Sequence, residues 1–230
     1  MTTLVFVHGA CVRDGAWWWH RMVAPLAARG IHSVAVALPS CGEAGPERGD
    51  LHDDAAAVRV AIEAVEGPVV LLGHSYGGMV ITEAGAHERV EHLVYLTSVL
   101  PEAGESQGEI IGALPAPWMD PGEDDTVGVH ASFFEDRFAQ DCDAVAVEGG
   151  IARLTRQSLV PFGQAAAQIA WRTTPATYVV CTEDLATPAD AQRARLKPGV
   201  GVAEIAAGHH PFLSRPDELA ELLARVTDAS

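Results

Sequence analysis

A serine flanked by glycines, Gly73-His74-Ser75-Tyr76-Gly77-Gly78, stands between the apolar run 69–72 and a helical pattern over 76–87. A sharp strand-to-helix turn of this kind carries a nucleophile at its tip, and small residues are needed where the backbone crowds itself. The helix N-terminus behind Ser75 favours negative charge developing there. Without that context the same residues would be a glycine-rich turn with a capping serine. His8-Gly9-Ala10 follows the first apolar run. Acyl transfer needs backbone N–H groups aimed at a tetrahedral oxyanion. The amides of Ala10 and of Tyr76, the residue after the serine, are the natural pair.

A serine nucleophile also needs a base, and the chain has ten histidines. His209, in Ala207-Gly208-His209, lies just past the last apolar run, where loops at the carboxyl ends of parallel strands converge. Its neighbour His210 stays open on spacing. The acid that orients the base should come one strand earlier. Cys181-Thr182-Glu183-Asp184 offers two competitors, in the chain order serine, acid, histidine. Glu102 and Glu105 are weaker alternatives. The segment His87-Glu88-Arg89-Val90-Glu91-His92 resembles a zinc-binding HExxH only faintly. Its histidines are five apart, roughly 140° around a helix, and would not share a face. No metal and no cofactor are expected, and a dinucleotide-binding Gly-x-Gly-x-x-Gly is absent.

The elements that must hold these residues alternate. Strands are expected at 4–7, 33–38, 69–72, 93–96, 177–181 and 202–205. Helices are expected at 16–28, 53–65 and 76–87 and near the C-terminus. The strand runs are continuously apolar, as in strands covered on both faces, and the repeated strand–helix units imply an α/β fold with a mostly parallel six-stranded sheet. Thr187, Pro188 and Asp190 read as a helix start, and Ser214 with Asp217 as another. The rhythm breaks between residues 101 and 170, where six prolines or glycines fall between Pro101 and Pro117. We read residues 1–100 and 171–230 as the core and residues 101–170 as an inserted helical cap.

With 230 residues and 48% hydrophobic content, the chain can bury a sizeable core. Its net charge of −16 argues against nucleic acid, which needs clustered Lys and Arg. Cys11, Cys41, Cys142 and Cys181 are scattered, without zinc or disulfide spacing. The first residues lack a basic region and a long apolar run, so neither a signal peptide nor a membrane partner is expected, and the location is expected to be cytoplasmic. A homodimer stays open.

Taken together, VFVHGAC, GHSYGGMV, YVVCTEDLATP, AGHHPF and the cap phrase Ser132-Phe-Phe-Glu-Asp-Arg-Phe resemble the α/β-hydrolase superfamily. More narrowly they resemble the plant methylesterase and hydroxynitrile lyase branch with its bacterial relatives. The resemblance implies Ser75 as nucleophile, Asp184 rather than Glu183 as acid and His209 rather than His210 as base, with Ala10 and Tyr76 as oxyanion donors. The loop of residues 11–15 looks longer than the family's usual form. The lyases have threonine where this chain has Gly9 and lysine where it has His210, so the resemblance favours an esterase acting on a small, largely apolar ester. The rivals are lyase-type cleavage of cyanohydrins at the same site and a non-catalytic small-molecule binder. Candidate pocket residues are Cys11, Trp118, Met119, Phe133, Phe134, Phe138 and His210. Of the consecutive Trp17, Trp18 and Trp19, at least one should pack in the core and one border the site.

Overall fold

The computed structural model describes residues 2–43, 48–112 and 115–228. The chain begins with β1 (Thr3–Val7), α1 (Gly15–Trp18), α2 (His20–Ala27), β2 (His32–Val36) and α3 (Leu51–Ala64). It continues through β3 (Val69–His74), α4 (Gly77–Ala84) and β4 (Val90–Leu96). An insertion follows: α5 (Gln107–Ile111), β5 (Met119–Pro121), β6 (Thr126–Val129), α6 (Ala131–Phe133), a π-helical turn (Phe134–Phe138), α7 (Ala144–Ile151), β7 (Gln157–Ser158) and α8 (Val160–Gly163). The core resumes with β8 (Ala176–Cys181), α9 (Ala189–Arg193), β9 (Gly201–Ile205), α10 (Pro211–Ser214) and α11 (Pro216–Asp228).

Six strands form one sheet in the order β2-β1-β3-β4-β8-β9, and every pairing is parallel. Strand side chains alternate between two apolar layers. Val5, Val7, Val69 and Leu71 pack with α3 and α4, whereas Leu4, Phe6, Val70 and Leu72 pack with α2 and α11. Burial on both sides explains the unbroken apolar runs, and each such side chain contributes about 1.5–3 kcal/mol. Strand order reverses between β1 and β3, which opens a crevice at their carboxyl ends. Val7 pairs with Gly73, so the loops after these two strands are neighbours.

Several boundaries differ from the sequence reading. The expected helix over 16–28 is two helices broken at Trp19, whose ring lies flat on Phe6 of β1 with centroids 4.3 Å apart. Helix α3 starts earlier, because Asp50 accepts from the His52 and Asp53 amides while the Asp53 side chain accepts from the Asp50 amide. Thr187 does not cap α9: its amide donates to Asp184 and its carbonyl accepts from Gln192, so the helix opens at Ala189. Ser214 ends α10 instead of capping α11, and its hydroxyl donates back to the His210 carbonyl. The insertion is only partly helical. It contains an antiparallel sheet in the order β5-β6-β7, with Met119 opposite Val129 and Thr126 opposite Ser158. Strands of two to four residues are too short to show a period. The HExxH-like segment is not a helix but a turn leading into β4, and its histidines go separate ways, His87 to Glu63 and His92 to Thr177. Among the described residues no helix is long and apolar enough to cross a membrane.

Candidate active site

Ser75 occupies the turn between β3 and α4 with φ of 52°, a left-handed conformation unusual for a residue with a side chain. The turn is tight enough to demand its glycines. A Cβ on Gly73 would come within 2.5 Å of the Gly77 carbonyl oxygen, and one on Gly77 within 2.5 Å of that of Val7. The Ser75 amide donates to the Leu96 carbonyl at 3.2 Å, and the Ser98 hydroxyl donates to the Ser75 carbonyl at 2.5 Å. The amides of Ala10 and Tyr76 have no acceptor among the described residues. Ala10 follows β1 and Tyr76 follows β3, the two strands flanking the crevice.

His209 and Asp184 follow β9 and β8, which are adjacent, with Cys181 opposite Ile205. His209 Nδ1 donates to Asp184 Oδ2 at 2.7 Å, and both side chains are buried. That bond leaves His209 Nε2 with its lone pair. The other carboxylate oxygen, Oδ1, accepts from the Ala186 and Thr187 amides at 2.8 Å each, and Thr97 Oγ1 donates to Oδ2 at 2.5 Å. Burial pushes the Asp184 carboxyl up, but the electrostatic pull of the adjacent His209 imidazole and these hydrogen bonds outweigh it and hold the group below the usual carboxylate range. Glu183 is exposed, while Glu102 pairs with Arg172 and Glu105 approaches Lys197. His210 donates from Nδ1 to the Phe138 carbonyl at 2.7 Å; burial and the neighbouring His209 push its pKa down to about 3, so it stays neutral. His74, also buried, donates to the His209 carbonyl at 2.9 Å and braces that loop.

A model of the alpha/beta hydrolase family matches residues 4–222. The chain belongs to this family. The alpha/beta hydrolase nvfD of Aspergillus novofumigatus is 29% identical over 209 residues, covering 83% of each chain. Methylesterase 7 of Arabidopsis thaliana is 26% identical, covering 97% of this chain and 95% of its own. The crystal structure of a pyrethroid hydrolase from Sphingobium faniae superposes with a TM-score of 0.87 at 28% identity, covering 99% of this chain and 98% of that one.

In this α/β hydrolase the cavity beside Ser75 and His209 has Trp118, Phe134, Phe138 and His210 in its lining. Cys11, Phe133 and Met119 are not in its lining. Cys11 is fully buried, its thiol directed to the Val127 carbonyl of β6, and Met119 packs beside it. Phe133 packs edge-on against Phe138. Trp18 lines the cavity and Trp19 is core, while Trp17 carries the Arg153 guanidinium over its ring. The sequence reading missed Thr97, Gln107 and Arg195. Thr97 had a findable signal, since it directly follows a parallel strand at the edge where sites form. Gln107 and Arg195 had none.

A buried polar chain links Tyr76 to the backbone next to Ala10. The Tyr76 hydroxyl donates to Asp54 Oδ2 at 2.6 Å, and Ser40 donates to Asp54 from its amide at 2.8 Å and its hydroxyl at 2.6 Å. Gln157 then joins Ser40 to the Cys11 amide, next to Ala10, through bonds of 2.8 and 2.9 Å. Burial pushes the Asp54 carboxyl up to about 6, against the pull of its Ser40 and Tyr76 hydrogen bonds. The folded state therefore holds this proton more tightly than the unfolded chain, whose aspartates titrate near 4. Ionising Asp54 costs stability progressively from about pH 4 to 6, reaching about 3 kcal/mol, and the cost is constant above that. Asp54→Asn, whose amide both hydroxyls can turn to meet, should gain stability relative to wild type as pH rises through this window. Urea unfolding at pH 4.5 and 7 measures the widening gap.

Proposed function

We propose that this α/β hydrolase is a serine esterase that cleaves small carboxylic esters through an acyl-enzyme. One observation carries the reading: a histidine held by a buried carboxylate at 2.7 Å, in a cavity whose lining also contains the turn serine Ser75. Asp184 fixes the His209 tautomer, so Nε2 accepts the Ser75 proton as Oγ attacks the ester carbonyl. The Ala10 and Tyr76 amides take the oxyanion, and protonated His209 gives its proton to the departing alcohol. Water repeats the cycle to release the acid. Similarity to a methylesterase and a pyrethroid hydrolase supports ester chemistry. Val12, Ile111, Val129, Leu154 and Phe212 join the aromatic residues in the lining and suit an apolar substrate body.

Gly9 and His210 favour the esterase over cyanohydrin cleavage. A Cβ on Gly9 would already stand 3.0 Å from His74 Nδ1 and 3.2 Å from Ser75 Cβ, which leaves little room for a lyase's threonine. The neutral His210 supplies no lysine-like cation. A cytoplasmic location fits four free cysteines. The test is a panel of p-nitrophenyl acyl esters and aromatic methyl esters, with fluorophosphonate labelling read by peptide mass. Ester turnover and an adduct on Ser75 are expected. Cyanide release from a cyanohydrin without ester turnover would replace this reading with the lyase, and binding without turnover or label would make the chain a receptor.

A further inference from the structure

The cavity is not apolar throughout. Arg195 is the one lysine or arginine in its lining, and it has no carboxylate partner among the described residues. In a chain with 31 acidic and 15 basic side chains, a cation without an acid in a cavity wall calls for an explanation. Its Nη1 donates to the Ser98 carbonyl at 3.1 Å, and the hydroxyl of that same Ser98 donates to the Ser75 carbonyl. The guanidinium is thereby tied to the backbone beside the nucleophile and also interacts with the Tyr178 hydroxyl, which leaves further N–H donors of its five for a ligand. Gln107 lies in the same lining and is 4% exposed, yet its buried Oε1 has no partner. Such an orphan costs about 1–3 kcal/mol unless something polar meets it. The two residues belong to one side of the site. Lys197 approaches Glu105 at 3.9 Å, so the segment carrying Arg195 lies against the segment that leads into α5 and Gln107.

We infer that Arg195 and Gln107 form a polar subsite that takes a second carboxylate on the ester substrate, remote from the scissile carbonyl. The guanidinium donates to the carboxylate oxygens as a fork. The Gln107 amide, alike in shape at both ends, turns its N–H to the same group. The overall negative charge opposes this only weakly, because charges beyond about 10 Å are screened at ordinary salt while the guanidinium is in contact. The inference rests on the esterase reading for its chemistry but not for its binding.

The experiment compares kcat/KM for mono-p-nitrophenyl glutarate against p-nitrophenyl valerate, which places the charge on the acyl side. A second arm compares 4-carboxyphenyl valerate against phenyl valerate, which places it on the alcohol side. Wild type should prefer the anionic ester in one arm. Arg195→Gln should lower that preference about 10- to 100-fold, Gln107→Leu should lower it less, and Arg195→Lys should restore part of it. The wild-type preference should also shrink as salt rises. Equal ratios in wild type and Arg195→Gln in both arms would overturn the subsite. Should no ester be turned over, the esterase reading has failed instead. Calorimetric titration of glutaric acid monoanilide against valeranilide then decides the subsite alone, with tighter binding of the anilide acid by wild type supporting it and equal binding refuting it.

Discussion

Ser75→Ala should lower ester turnover on the order of 10⁴- to 10⁶-fold while the protein stays folded. The Ser75 hydroxyl has no hydrogen-bond partner among the described residues, so its removal costs no internal bond. Ser75 instead carries the backbone cost of φ at 52°. Alanine keeps that strain, and its unfolding free energy should lie within about 1 kcal/mol of wild type. Glycine at the same place relieves it, so Ser75→Gly should be equally inactive and more stable by about 1 kcal/mol. The pair separates chemistry from folding: both lose activity, and only one gains stability. Initial rates on p-nitrophenyl esters and urea unfolding curves give the two readouts. Turnover of Ser75→Ala within tenfold of wild type would move the nucleophile elsewhere.

The parts of this site that were legible in the sequence are those whose chemistry is local. Gly73-His74-Ser75-Tyr76-Gly77 announces its turn because the glycines it needs are written next to one another, Gly73 crowded by the turn itself and Gly77 by the Val7 carbonyl of the neighbouring strand, and the central strands were legible because both their faces are buried. The choice between Glu183 and Asp184 was not local. It depends on which carboxylate points inward, and the Ala186, Thr187 and Thr97 donors make that choice for Asp184. The short strands β5, β6 and β7 hid behind their length. Phe133 and Phe134 are adjacent, and only Phe134 turns to the cavity, which composition could not tell. Arg195 was invisible for the opposite reason. In Gln192-Arg193-Ala194-Arg195 it looks like any solvated helix-end charge, and only its place in the cavity and the absence of an acid beside it set it apart from Arg193, which pairs with Glu204.

Asp184→Asn should cost about 10⁴-fold in turnover through the tautomer of His209, without gross loss of structure. The Ala186 and Thr187 amides are fixed donors to Oδ1, so an asparagine must place its carbonyl oxygen there. Its NH₂ then falls where Oδ2 meets His209 and Thr97. The threonine hydroxyl can turn to accept, but the imidazole can accept only by giving up its Nδ1 proton and holding one on Nε2. That nitrogen is then blocked as the base for Ser75. Asp184→Ala instead strands all four donors in a buried place, and should also destabilise the fold by about 3 kcal/mol or more. The two variants differ in acid as well. Because the folded Asp184 carboxyl sits below its unfolded value, wild type has extra stability above about pH 4 that disappears as pH falls through the folded value. Asparagine cannot titrate, so the stability gap between wild type and Asp184→Asn should close below about pH 4. Unfolding curves at pH 3 and 7, with histidine ring nitrogen shifts to report the His209 tautomer, test both halves; an unchanged tautomer in an inactive Asp184→Asn would assign the loss to charge rather than proton placement.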